Sequence, residues 1–226
     1  MIKKLTDIEI RANILDVAKK MYEKGLVNAI EGNVSYRDNY KVYITPSGVC
    51  KDKLTGDMLV IVDMSGNVIG GNYKPSSELK MHLACYGLRD DIKSVIHTHS
   101  PYATAYSIAN KPIVTKSYPE MIIAFEKIPV AKYGTPSTDE IHAGFSEIIY
   151  DYDVFLMEMH GIVSVNGDIF EAFDRIEAAE GIAKALTIAN QIGGVSDLPQ
   201  GELEKLSNLR KMQLAERKAR LIKQKK

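Results

Sequence analysis

Two cysteines in 226 residues, Cys50 and Cys85, are too few for a disulfide framework, and neither belongs to a CxxC pair. That scarcity excludes a disulfide-stapled scaffold, points to a reducing compartment, and leaves both thiols to be expected as ordinary buried side chains. Excess charge is missing as well: Lys plus Arg and Asp plus Glu number 29 each, so no whole-chain field recruits nucleic acid or an anionic membrane. Nor is there a long apolar run. No window reaches the roughly 18 residues of a membrane span, and the N-terminal stretch MIKKLTDIEI has no continuous apolar core of signal-peptide type. The expected location is therefore the cytoplasm, with small molecules or other protein chains as partners. Internal repeats and domain linkers are absent too. What remains is a chain with 45% apolar residues, enough for an ordinary buried core.

Local signals divide that chain into alternating helices and strands. Thr6-Asp7-Ile8-Glu9 is a capping box, and Ile8, Ala12, Leu15 and Tyr22 follow at helical spacing until Gly25. KVYITP and MLVIVD read as strands, the second leading through a turn at Ser65-Gly66 into VIG. Ser76 and Ser77 can cap a helix through Leu79, Leu83 and Tyr86; SVIHTH is a buried strand; Ser100-Pro101 opens a further helix. Ser137-Thr138-Asp139-Glu140 is a second capping box and predicts a helix through Ile141, Phe145 and Ile149. DVFLMEM and IVSV are strands on either side of His160-Gly161, and a long helix runs from Asp168 to about Gln191. The pattern predicts one α/β domain over residues 1–202, with a mostly antiparallel sheet flanked by helices. Residues 203–226 form a basic, helical tail, read as a solvated face with a frayed end rather than a nucleic-acid arm.

Candidate chemistry starts at VIHTHSPYAT. Residues i and i+2 of a strand point the same way, so His97 and His99 can converge on one small object, such as a metal ion. His160 lies at the end of an apolar strand against Gly161, where a glycine permits close backbone approach; His82 and His142 compete with it as third ligand. His82 falls four residues after Glu78 and is read as a core or supporting residue, and His142 as a surface one. Three neutral imidazoles with an open position suit a catalytic Zn²⁺. Glu78 follows two hydroxyls in PSSE, where the first turn of a helix favours a carboxylate. Helix N–H groups there, together with EGNVS (31–35) and TPSG (45–48), offer turn donors suited to a phosphate without a lysine.

The stretches GLVNAIEGNVSYR, ITPSG, PSSELKMH, HTHSPYATAYS and MHGIVSVNGDIFEAF stand in the order and approximate spacing of the class II aldolase and adducin family. Over about residues 8–192 the chain resembles that family, most of all its L-fuculose-phosphate aldolase branch. The resemblance implies a zinc-dependent enzyme with one Zn²⁺ per subunit, an α/β fold around a central antiparallel sheet, and a homotetramer with active sites between subunits. It implies that His97, His99 and His160 bind zinc, and that Glu78 is the acid/base and touches the metal when no substrate is bound. Gly32 with Asn33, Ser47 with Gly48, and Ser76 with Ser77 would hold the phosphate of a sugar substrate. Tyr118, eleven residues before Ile128-Pro129, would enter the neighbouring subunit's site as the catalytic tyrosine. The implied reaction is reversible cleavage of a ketose 1-phosphate, L-fuculose 1-phosphate or a related deoxy-ketose 1-phosphate, to dihydroxyacetone phosphate and an aldehyde.

Two features set limits on that carry-over. KSYPEM departs from the aldolase pattern around the tyrosine, and no tyrosine follows Tyr152, so a C-terminal tyrosine of the kind related aldolases use is absent. Members of this fold also dehydrate methylthioribulose phosphate, decarboxylate sugar-acid phosphates and epimerise ribulose phosphate at C4, and adducin heads act as scaffolds. Glu78 directly after two serines favours the aldolase over the epimerase, and the histidines favour an enzyme over the scaffold.

Overall fold

The structure is a computed structural model that describes the backbone of residues 5–224 and the side chains as far as residue 216. Its sheet has eight strands: β1 (Asn33–Asp38), β2 (Lys41–Ile44), β3 (Val60–Val62), β4 (Val68–Gly70), β5 (Ser94–Thr98), β6 (Val130–Ala131), β7 (Val154–Met157) and β8 (Gly161–Asn166). Their order across the sheet is β4-β3-β2-β1-β5-β8-β7-β6. Every neighbouring pair is antiparallel except β6 with β7. The expected mostly antiparallel α/β domain is what the chain forms.

Alternation along the strands divides the core in two. Val34, Ile96, Leu156 and Ile162 face one side, where α1 (Asp7–Glu23), α3 (Pro101–Ile108), α4 (Pro119–Ala124) and α6 (Ile169–Gln191) pack. Val95, Phe155, Met157 and Val163 face the other, under α2 (Leu79–Leu88) and α5 (Phe145–Ile148). Each fully buried aliphatic such as Ile14, Ile96 or Leu156 contributes roughly 1.5–3 kcal/mol against leaving it in water.

The Thr6 capping box forms as expected, and Gly25, at φ 67°, stops the chain just past α1. The buried stripe of α1 differs from the expected one. Ile10, Ile14, Val17, Ala18 and Met21 face the sheet, whereas Ile8 and Tyr22 are exposed. Both sets have helical spacing, and the longer run of i, i+4, i+7, i+8 positions meets the sheet. The second capping box also behaves differently. Thr138 does accept from the Glu140 amide, but Asp139–His142 is one 3-10 turn, and Gly144, left-handed at φ 76°, separates it from the single turn of α5. EGNVS is strand β1 from Asn33 onward, and its Glu31 only closes the preceding turn, its amide donating to the Asn28 carbonyl at 2.8 Å.

The tail forms α7 (Gln200–Gln224), held against α4 by Arg210, which donates to the Ile123 carbonyl (3.0 Å) and to Glu126 (3.2 Å). Lys225 and Lys226, part of the expected basic end, lie outside the described residues. Among the described residues no helix is long and apolar enough to cross a membrane.

Candidate metal and anion site

Register brings the histidines together. In β5 His97 is paired with Asn33 of β1 on one side and Val163 of β8 on the other, and His99 follows just past the strand end. His160 ends the turn between β7 and β8, its amide donating to Ser107 Oγ at 2.9 Å. The three imidazoles stand edge to face, with ring centroids 4.8–4.9 Å apart. Glu78 reaches them from the start of α2, beside Asn33. It is the N-cap of α2 rather than a first-turn residue, and its carboxylate makes no cap bond to its own helix. Instead Oε1 lies 2.9 Å from His160 Nε2 and Oε2 lies 3.4 Å from His97 Nε2. The expected capping by Ser76 and Ser77 is not formed: α2 begins at Leu79 with no side-chain cap bond, and the Ser76 hydroxyl instead accepts from the Glu78 amide at 3.3 Å.

The charge states follow from burial and neighbours. Burial opposes the Glu78 charge, but the facing His97 and His160 and the Asn33 amide outweigh it and hold the carboxyl below the usual carboxylate range. Burial pushes His97 down to about 3 and lowers His99 as well. At neutral pH a neutral His97 ring thus faces the Glu78 carboxylate. His97 Nδ1 donates to the Ile162 carbonyl at 3.0 Å, which leaves its Nε2 lone pair directed at the cluster, 3.0 Å from His99 Nε2.

That donor set fits a divalent cation. One ligand atom from each of Glu78, His97, His99 and His160 lies within 4.8 Å of the others. Ligands at the usual zinc–nitrogen distance around a tetrahedral ion sit about 3.3 Å apart. Gly161 maintains the clearance: a Cβ there would come within 2.5 Å of the Thr98 carbonyl and 2.9–3.0 Å of the His99 and His97 rings. Gly32, at φ 70°, is held as tightly, since a Cβ would meet Val27 at 2.4 Å and the His97 carbonyl at 3.0 Å.

The three donor-rich turns meet beside this cluster. Val34 and Thr45 join the first two through Thr45 N–H to the Val34 carbonyl (3.1 Å) and Val34 N–H to Thr45 Oγ1 (3.2 Å). An isolated bridge between Pro46 and Pro75, with Ser47 N–H on the Lys74 carbonyl and Ser76 N–H on that of Thr45, joins the third. Gly32, Asn33, Ser47, Gly48, Ser76 and Ser77 therefore share one end of the sheet. Asn33 already uses both ends of its amide, donating to Glu78 Oε2 at 2.6 Å and pairing with His82 Nε2 at 2.5 Å.

A residue that sequence reasoning missed sits among these turns. Lys51, only 2% exposed, donates to the Ile30 (3.2 Å) and Val49 (3.1 Å) carbonyls, one beside each of the first two turns. Burial pushes its ammonium down to about 8, with Cys50 and Glu78 pulling the other way. The donor turns are thus backed by a lysine. Its setting in VCKDK, followed by two more charged residues, carries no apolar pattern that marks burial.

Other expected residues lie elsewhere. Tyr118 is the N-cap of α4, half-buried against the apolar cluster on the α1 and α6 side. His142 is half-buried near Phe145 and takes no part in the cluster. His82 is fully buried beneath Glu78. Cys85 is buried as expected, whereas Cys50 is half-exposed because it precedes the 3-10 turn that carries Lys51 inward.

Comparison with known proteins agrees with this geometry. The sequence profile of the Class II Aldolase and Adducin N-terminal domain family matches residues 12–187. The chain is 36% identical over 178 residues to an L-fuculose phosphate aldolase of Methanococcus maripaludis, covering 79% of this chain and 96% of that one. It is 34% identical over 201 residues to a 5-deoxy-D-ribulose 1-phosphate aldolase of Bacillus thuringiensis serovar kurstaki, covering 87% and 93%. A solved L-fuculose 1-phosphate aldolase superposes with a TM-score of 0.80 at 30% identity, over 88% of this chain and 94% of that one.

Proposed function

Because this chain belongs to the class II aldolase and adducin N-terminal domain family, whose aldolase members it matches nearly end to end, we propose that it is a zinc-dependent lyase that reversibly cleaves a ketose 1-phosphate to dihydroxyacetone phosphate and an aldehyde. The observation that carries the reading is the convergence of Glu78 with His97, His99 and His160 beside three donor turns. L-Fuculose 1-phosphate or a related 5-deoxy-ketose 1-phosphate is the proposed substrate, in line with the two aldolase relatives.

His97, His99 and His160 would hold the ion, which when bound supplies Lewis acidity toward the carbonyl and hydroxyl oxygens of the substrate. Glu78, placed by Asn33 and ionised at neutral pH, would stand against the cation in the resting site. In the condensation direction it would take the proton from the hydroxyl-bearing carbon of dihydroxyacetone phosphate. Gly32, Asn33, Ser47, Gly48, Ser76 and Ser77 would bind the phosphate, with the Lys51 charge behind them, and fix the reacting end by its remote handle. Tyr118 packs away from Glu78 in its own chain; as proton donor to the aldehyde oxygen it would serve the site of a neighbouring subunit in a homotetramer.

The test needs no choice of aldehyde. Metal-loaded protein is incubated with dihydroxyacetone phosphate in D₂O, with and without a chelator, and loss of the proton on the hydroxyl-bearing carbon is followed. Exchange that stops with chelator and returns with zinc supports the aldolase. A metal-replete protein without exchange overturns it and leaves decarboxylation, dehydration or epimerisation at the same site.

A further inference from the structure

Beneath Glu78 lies a run of buried polar side chains that metal and phosphate binding leave unexplained. On α2, Glu78, His82 and Tyr86 recur every four residues, about 6 Å along a helix. On β1, Asn33, Ser35 and Arg37 recur every two, about 6.6–6.8 Å along a strand. The two periods nearly coincide, so the stripes interleave as a ladder. Asn33 Nδ2 meets Glu78 Oε2 at 2.6 Å, Asn33 Oδ1 meets His82 Nε2 at 2.5 Å, His82 Nδ1 meets Ser35 Oγ at 2.6 Å, and Ser35 Oγ meets Tyr86 OH at 2.7 Å. Arg37 closes the far end, donating to the Tyr86 carbonyl at 3.1 Å with its guanidinium 5.3 Å from the Tyr86 ring centre.

The direction of each bond is forced. An ionised carboxylate only accepts, so the Asn33 NH₂ faces Glu78 and its oxygen faces His82. That oxygen also only accepts, so His82 carries its proton on Nε2. Full burial keeps the ring neutral, so Nδ1 must accept, and its partner among the described residues is the Ser35 hydroxyl. With its one hydrogen given to His82, Ser35 accepts from Tyr86, for which the Lys93 carbonyl at 3.4 Å is the weaker alternative. Four donors in series thus point at one carboxylate oxygen.

We propose that Tyr86, Ser35 and His82 are positioning residues that act through Asn33 to fix the orientation of Glu78 for proton abstraction. No proton needs to travel along the ladder. Each donor polarises the next, and the bond from Asn33 is charge-assisted only while Glu78 is ionised. The inference rests on the reading of Glu78 as the proton-transfer group.

Two measurements test it. The first involves no turnover: ¹⁵N NMR of the full-length protein reports the His82 tautomer. A neutral ring with its proton on Nε2 is expected, and a proton on Nδ1 or a charged ring at neutral pH overturns the ladder. This readout stands even when the metal-loaded enzyme shows no exchange, so failure of the functional reading is told apart from failure of the ladder.

The second is a variant series followed by dihydroxyacetone phosphate proton exchange. Ser35→Ala and Tyr86→Phe each remove one hydroxyl and are expected to lower kcat several-fold. His82→Leu is expected to lower it about tenfold or more, with KM within about twofold. His82→Gln, whose amide can still donate to Asn33, restores most of the rate. In a Glu78→Gln background His82→Leu then has no further effect, because the carboxylate it serves is gone. Equal losses in both backgrounds, or no rescue by glutamine when the variants fold and bind metal, assign the ladder to stability alone and overturn the proposal.

Discussion

The two halves of the site are built differently. Glu78 is only 8% exposed, and its carboxylate is held by Asn33 and His160, while His97 is anchored on the Ile162 carbonyl. Around the donor turns, Ser47, Gly48 and Ser77 are open to solvent, and the buried Lys51 ammonium is held by the main-chain carbonyls of Ile30 and Val49. On the proposed function, one half would be preorganised for chemistry, where a displacement of a fraction of an ångström matters, and the other would be an open receptor that a ligand completes. Damage to the first half should abolish turnover while leaving anion affinity, and damage to the second should weaken anion affinity while leaving zinc bound.

The largest expected effect is that of His99→Ala, which should reduce bound zinc from stoichiometric to near none by elemental analysis and with it all exchange. Full zinc occupancy in that variant would show the ligand assignment to be wrong. Glu78→Gln should keep zinc and inorganic phosphate binding yet lose about 10²–10⁴ in exchange rate; near-normal turnover would remove its proton-transfer role. Gly161→Ala presses a methyl on the Thr98 carbonyl and both rings, so it should weaken zinc affinity and cost about 1–3 kcal/mol in urea unfolding.

The smallest effect blurs the contrast on purpose. Lys51→Met should weaken inorganic phosphate binding about three- to tenfold at pH 7, as read by calorimetry, while leaving zinc in place. Wild-type affinity should fall as pH rises through about 8, where the buried ammonium loses its proton, and Lys51→Met should lack that step. Stability runs the other way. An unfolded lysine holds its proton to the ordinary 10.5, so between about 8 and 10.5 the unfolded chain binds more protons and the fold gains stability with rising pH. Parallel slopes for affinity and stability would contradict the assignment.

What could be read from the chain depended on whether one period governed a stretch. HTH on a strand of period two placed His97 and His99 together without knowledge of any neighbour, and the Thr6 capping box named a helix start correctly. β1 escaped because its buried residues serve two masters: Val34 and Tyr36 enter one core, while Asn33 and Ser35 enter the other side as polar groups matched to α2. Without α2 in view, a run such as EGNVS reads as a turn. The 137–149 helix was over-read because a good cap was present but Gly144 adopts a left-handed conformation that ends the run. Lys51 was illegible for a related reason: nothing local distinguishes a lysine buried by two approaching turns from one in water.

The sheet ends in two stubs, β4 with three residues and β6 with two. Edges this short give a foreign strand little backbone to pair with, so the fold is protected against growth by strand addition. Copies of this chain that assemble must recognise one another through side chains on helices and turns, and such contacts can be rewritten by mutation without disturbing a single rung of the sheet.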